Sequence, residues 1–289
     1  MSISIERATI YLAVLILAGG LVLQLWLILR REGRARSAAA AAAGSGIAGT
    51  PGRDGAVSRV EGFSSPLRTA AAVLIVVHLV LLSVRRGFPA ITAQYEALVL
   101  FAGLILVVVQ IARRVRSVPA LAAIVDLLAL LLLVISSSPL VPYAVVPPMP
   151  ALRSGWMIVH IVLAFLGEAF FTVAFGASIL FLLSSSPEKR ARLDRITYIS
   201  IAYGYVLFTL GALVFGAIWA HRTWGRYWGW DPKETWSLIT WLIYSVYLHL
   251  RFVRKRSPRV SAITSIAGYL AMLFTLFGVN WLYSSIHAY

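Results

Sequence analysis

Cysteine is absent from the 289 residues, so the chain forms no disulfide, carries no CxxC redox pair and offers no thiolate to a metal. Any thiol chemistry around it belongs to a partner. Charge is scarce too: 13% of residues are charged, 60% are hydrophobic, and the mean hydropathy is +0.84. A water-soluble core of this size could not hide so much apolar surface, which points to a polytopic membrane protein. Acidic residues are the rarer charges, 11 against 26 Lys and Arg. The resulting +15 raises nucleic acid as a partner, but the placement of the charges speaks against it. No internal repeat is visible. The first apolar stretch lacks the basic lead-in and small-residue cleavage site of a signal peptide, so it is expected to stay as a span.

What is present is a series of apolar runs of spanning length, at about 9–29, 67–85, 93–112, 120–138, 156–183, 197–219, 236–252 and 261–283. In lipid each backbone polar group must be satisfied within its own helix or a closed barrel. The expected fold is therefore all-α, a polytopic bundle of about eight transmembrane helices. Loops 30–68, 113–119, 184–196 and 251–260 carry nineteen basic residues; the other side carries seven, Arg7, Arg85, Arg86, Arg153, Arg222, Arg226 and Lys233. The positive-inside rule puts the first set in the cytoplasm and both termini outside. The excess charge is thus an orientation signal with anionic-lipid attraction, which leaves nucleic acid without a role. The chain divides into 1–66, a first helix with an Ala/Gly/Arg-rich cytoplasmic linker expected to be flexible, and a membrane domain over 67–289.

The densest signal lies on the outer side. Trp219, Trp224, Trp228, Trp230 and Trp236 fall within eighteen residues, and Trp241 follows. An interfacial aromatic belt explains one or two tryptophans per helix end. Five, with Gly225 and Gly229 between them, suit a platform for a large planar apolar ligand with polar edges, haem being the obvious one. Asp231-Pro232-Lys233-Glu234 reads as a helix start with a capping box.

Histidine is the residue type to ask for an iron ligand. His160 lies four residues into the fifth span, roughly 6 Å below its outer end, and His287 lies just past the outer end of the last span. Both share the level of the tryptophan loop, although each could instead bond a backbone carbonyl. His249 lies roughly 20 Å along the seventh span, in its cytoplasmic half. His78 is the other intramembrane candidate to face it, and His221 reads as a surface residue. Glu96, Asp126 and Glu168 lie in or at the edges of spans with no role assigned.

The run WGRYWGWDPKETWSLITWLIYSVYLHLR resembles the tryptophan-rich WWD signature of the CcsA (ResC) family of System II cytochrome c biogenesis, related to CcmC and CcmF. Gly87-Phe88-Pro89 with Tyr95-Glu96, Trp156 to His160, and Phe277-Gly278-Val279-Asn280 through His287 resemble further family segments. The likeness covers residues 67–289, departs at the SIHAY ending, and adds nothing for 1–66. It implies haem b held outside by His160 and His287, on a platform made by the loop of about 219–236 with Asp231 in its signature. It implies an inner haem site at His249, completed by a CcsB (ResB) partner; the resemblance assigns His78 no ligand role, so His78 is either incidental or a local substitute. An apocytochrome c with a reduced CxxCH motif would dock outside, kept reduced by thiol-reducing partners, and receive haem through two thioether bonds. The implied activity is that of a cytochrome c haem lyase subunit in the plasma membrane, or the thylakoid membrane if plastid-encoded. Two rivals stand beside it. One is a haem-binding exporter or regulatory membrane protein; the other is a transporter of a different solute.

Overall fold

The computed structural model describes residues 5–45, 53–115, 118–143, 145, 147–252 and 257–279. They form helices α1 (Ile5–Ser45), α2 (Arg53–Arg86), α3 (Gln94–Val115), α4 (Pro119–Ser136), α5 (Gly155–Leu183), α6 (Pro187–Phe208), α7 (Gly216–Trp224), α8 (Pro232–Phe252) and α9 (Pro258–Leu273), with no strand among the described residues. Two π-helical stretches interrupt the pattern. Thr209–Phe215 joins α6 to α7 as one rod, and Phe274–Gly278 prolongs α9. Proline opens α4, α6, α8 and α9 at the first helical turn, where a missing N–H costs nothing.

Among the described residues, seven helices are long and apolar enough to cross a membrane. The expected seventh span, α8, has 21 residues but is not one of them. Its tryptophans, tyrosines, serines and threonines lower its hydropathy, and Thr240, Tyr244 and Tyr247 are turned into the bundle and buried. A second difference concerns the linker. Segment 33–66 is helical over 33–45 and 53–66. Its alanine run, 38–43, loses no side-chain entropy on coiling and has the highest helix propensity, which explains the first part.

The polar residues inside the spans clamp helices together. Arg68, counted above as a loop charge, is buried and holds Asp126 of α4 with two hydrogen bonds, Nε to Oδ1 at 2.6 Å and Nη2 to Oδ2 at 2.5 Å. Gln110 of α3 accepts from Arg68 Nη1 at 3.1 Å and ties in a third helix. Glu96 pairs with Arg86 and accepts the backbone N–H groups of Thr92 and Ala93, so it caps the helix it begins. His78 is fully buried. Its Nδ1–H donates to the carbonyl of Glu6 at 2.6 Å, and its Nε2 accepts from the Tyr95 hydroxyl at 2.9 Å. Both ring nitrogens are thus engaged in tying α1, α2 and α3, which fits the incidental reading of His78 as a packing residue.

What positions the candidate site is the contact between α5 and the rod of α6 and α7. Glycines line it. A Cβ at Gly167 would lie 2.7 Å from the Phe208 backbone nitrogen, and one at Gly211 would collide with the backbone of Leu163 and Ala164. Small residues let two backbones approach this closely in a bundle where lipid provides no hydrophobic drive.

Candidate functional site

His160 sits one turn from the contact at Gly211. Its Nδ1–H donates to the Gly211 carbonyl at 2.9 Å. That carbonyl also closes the π turn, accepting from the N–H of Gly216. A carbonyl only accepts, so the proton is on Nδ1 and the basic lone pair on Nε2. An orienting bond of this kind on one ring nitrogen is how ligating histidines are usually held. Gly216 is part of the same arrangement, since a Cβ there would lie 3.0 Å from His160 Nδ1.

Trp219 lies parallel to the imidazole, with 6° between the planes and 6.3 Å between the ring centres. It is only 1% exposed, donates from Nε1 to the Ala151 carbonyl at 3.0 Å, and packs with Ile91, Leu152, Met157 and Ile161. Trp219 is therefore the wall that fixes His160, not an open face of a platform. Around this wall the other aromatics are accessible. Trp224 meets Trp219 edge-on at 6.3 Å, Trp228 meets Trp230 edge-on at 5.8 Å, and Trp156 stacks on Phe215 at 5.9 Å. Trp230 is 70% exposed and adopts φ 56°, a left-handed backbone uncommon for a bulky residue. Trp236 packs on Phe274 of the second π stretch at 4.2 Å, and Trp241 donates to Thr209 Oγ1 at 2.9 Å. Both π stretches thus border the aromatic end of the bundle, a common place for such helix insertions.

The loop that carries the tryptophans is held from below. Gly225, at φ 73°, ends α7 with its N–H on the His221 carbonyl. Asp231 Oδ1 accepts from the N–H of Lys233 at 2.8 Å; Glu234 Oε2 accepts from Gly229 at 2.7 Å and from Asp231 at 3.2 Å. The expected capping box is present. Gly225 serves the turn, and a Cβ at Gly229 would meet the Arg226 guanidinium. Asp231 is nearly buried as a cap. Asp231→Ala is expected to cost about 1 kcal/mol, the worth of an N-cap, while leaving the His160–Gly211 bond intact; unfolding in mixed micelles would measure it. Burial pulls the Lys233 ammonium down to about 8, against the carboxylates of Asp231 and Glu168.

His249 is exposed on the outer face of α8 in line with Leu242 and Val246, which are exposed as well. The seventeen-residue step from Pro232 sets it roughly 26 Å along the helix from the loop, far from His160. His221 stacks on Tyr227 at the surface, 4.1 Å between centres. His287 lies outside the described residues. The α9 rod that precedes it ends at Trp236, on the tryptophan side.

An all-helical bundle with spans long and apolar enough to cross a membrane, and with a fixed imidazole behind an accessible tryptophan cluster at one end, defines a class by architecture: polytopic membrane bundles with an aromatic edge. The comparison with known families narrows it. Residues 90–287 match the model of the cytochrome c assembly protein family, and the chain belongs to that family. Among curated relatives, the cytochrome c biogenesis protein CcsA of Chlamydomonas reinhardtii is 37% identical over 152 residues, covering 50% of this chain and 43% of that one. CcsA of Prochlorococcus marinus (strain CCMP1986 / NIES-2087 / MED4) is 36% identical over 172 residues, covering 48% and 54%. The chain spans about half the length of these relatives.

Proposed function

We propose that the protein works in cytochrome c biogenesis by carrying haem b as cargo and presenting it at the tryptophan end of the bundle. The observation that supports this most is the His160 geometry: one ring nitrogen locked on Gly211, a parallel Trp219 behind, and exposed tryptophans beside it. His160 and His287 would hold the iron at this end. Trp224, Trp228 and Trp230 would cover the macrocycle, while Trp219 and Asp231 act through His160 and the loop. His249 would bind iron at a second level. Its exposure on α8 suits a site completed by another membrane protein, of CcsB type. When bound, haem supplies the vinyl groups to which the thiols of an apocytochrome CxxCH motif add. The chain's own part is to hold the iron, orient the ring and limit the access of water and oxidants. In this reading the protein is a subunit of a haem lyase, with the tryptophan loop and both termini extracytoplasmic.

The test is the absorption spectrum of the purified protein, oxidised and reduced, after co-expression with a CcsB-type partner. Wild type is expected to show the sharp reduced bands of low-spin b-type haem. His160→Ala should lose most of the tryptophan-end signal and keep that of His249; His249→Ala should do the reverse. A wild-type preparation that takes up no haem with the partner present and haem in excess would rule the proposal out.

A further inference from the structure

Apart from the aromatic end, the bundle has a polar interior where α5, α8 and α9 meet. Six buried side-chain atoms on these three helices have no hydrogen-bond partner among the described residues: Glu168 Oε2, Thr240 Oγ1, the hydroxyls of Tyr244 and Tyr247, and the Oγ atoms of Ser261 and Ser265; Tyr247 is on the side of α8 towards Asp194 and Tyr198 of α6. Each of these residues is buried, and Glu168, at 7%, is the most exposed of them. They are in register. Residues 240, 244 and 247 form one stripe on α8, and 261 and 265 lie four apart on α9. An unpaired hydroxyl inside a protein costs about 1–3 kcal/mol, and lipid outside offers nothing in return. Buried polar groups in natural proteins are paired, and where protein groups do not pair them, ordered water does.

The seam runs inward from the tryptophan end, where α8 begins. Lys233, at the start of α8 two turns above Thr240, interacts electrostatically with both Asp231 of the loop and Glu168. Below Glu168 the Tyr244 ring lies on Phe171 with 3.8 Å between centres, and on its other side α9 packs Gly268, where a Cβ would sit 2.8 Å from Cζ of that ring. That stack separates Glu168 from Ser265 and Ser261 at the far end. Lys233 is the charged group that acts on Glu168, and Tyr244 and Tyr269 are the titratable neighbours that sense it from α8 and α9. The other helices against α5 bring apolar groups: Gly204 and Phe208 from α6, Phe101 from α3, Leu121 and Val125 from α4.

We propose that the upper part of this seam holds a chain of water molecules and that Glu168 is a proton-binding site supplied through it from the tryptophan end. A proton leaves a hydronium ion at the Lys233 mouth, passes along the waters and Thr240, and joins the Glu168 carboxylate; neutral acid and one water result. Release runs the same path backwards. An ionisable group within a span that exchanges protons with one face only lets the bundle answer a change of charge there, such as the arrival of an anionic or cationic ligand. The site needs no haem for its existence.

Infrared spectroscopy of the full chain in lipid nanodiscs, without haem and with it, tests this. The wild-type minus Glu168→Gln difference should contain the carbonyl stretch of a protonated carboxylic acid that titrates reversibly. In D2O that band should shift at once, while the amides of the spans exchange slowly. Lys233→Met removes the nearby cation, so the band should persist to higher pH by about one to three units. Should Glu168→Gln fail to fold, carbon-13 glutamate labelling with the Lys233→Met shift identifies the band. Absence of a titrating carboxyl band, or one that exchanges as slowly as the core amides, would overturn the proposal. A protein that takes up no haem with the partner present and haem in excess, yet keeps the band, would overturn the haem reading alone, and a haem-loaded one that lacks it would overturn this one alone.

Discussion

Asp126→Ala should destabilise the bundle by about 3–5 kcal/mol, the cost of leaving a buried charge without its partner. Arg68 is fully enclosed, and both oxygens of Asp126 are committed to its guanidinium. Removing the carboxylate strands a cation among α2, α3 and α4, with the Gln110 side-chain oxygen still accepting from it. Removing both charges should be far cheaper, because well-packed apolar side chains replace buried ion pairs at little cost. The double variant Arg68→Met/Asp126→Leu is therefore expected to recover most of the loss. Unfolding in mixed micelles titrated with a denaturing detergent, run on the two single variants and the double, gives the coupling directly. A single Asp126→Ala loss under about 1 kcal/mol would mean that water reaches Arg68 and that the pair is not a clamp.

The ion pair also shows where reading from sequence stops. Arg68 was counted with the loop charges because it stands at the edge of an apolar run, and Asp126 had no visible partner 58 residues away. Local features were legible. The Asp231–Glu234 capping box is set by four adjacent residues and is present as expected. Helical spans follow from hydropathy and length, and the aromatic end from tryptophan density. Features made by two distant helices were not legible. The bond from His160 to Gly211 crosses 51 residues, and it exists because glycines let α5 and the π stretch touch. No periodicity announces a π turn, so neither π stretch was foreseen. Trp219 looked like its neighbours in the tryptophan run, yet the helix that carries it turns it inward against Met157 and Ile161. His78, an ionisable residue inside a span, leaves both a packing and a ligand reading open in the sequence. The Glu6 carbonyl and Tyr95 hydroxyl that engage it belong to two other helices.

Gly211→Ala is the substitution that joins this packing to the chemistry proposed for the tryptophan end. A Cβ at position 211 would meet the Leu163 carbonyl carbon and the Ala164 backbone, neither of which can step aside as a flexible side chain would. The helices must part, at a cost of about 1–3 kcal/mol for an overpacked contact. Parting them moves the Gly211 carbonyl away from His160 Nδ1, while His160 itself is unchanged. The imidazole then loses its fixed tautomer and orientation, and losing such an orienting bond typically lowers metal affinity about 10–100-fold. Haem at the tryptophan end should therefore bind about 10–100-fold more weakly in Gly211→Ala than in wild type, with the His249 signal as an internal control. Gly216→Ala provides the comparison, because its Cβ would press on the imidazole directly and leave the α5 backbone alone. If Gly211→Ala folds with its haem spectrum and affinity intact, His160 is not held by this contact, and its part at the tryptophan end must come from elsewhere in the bundle.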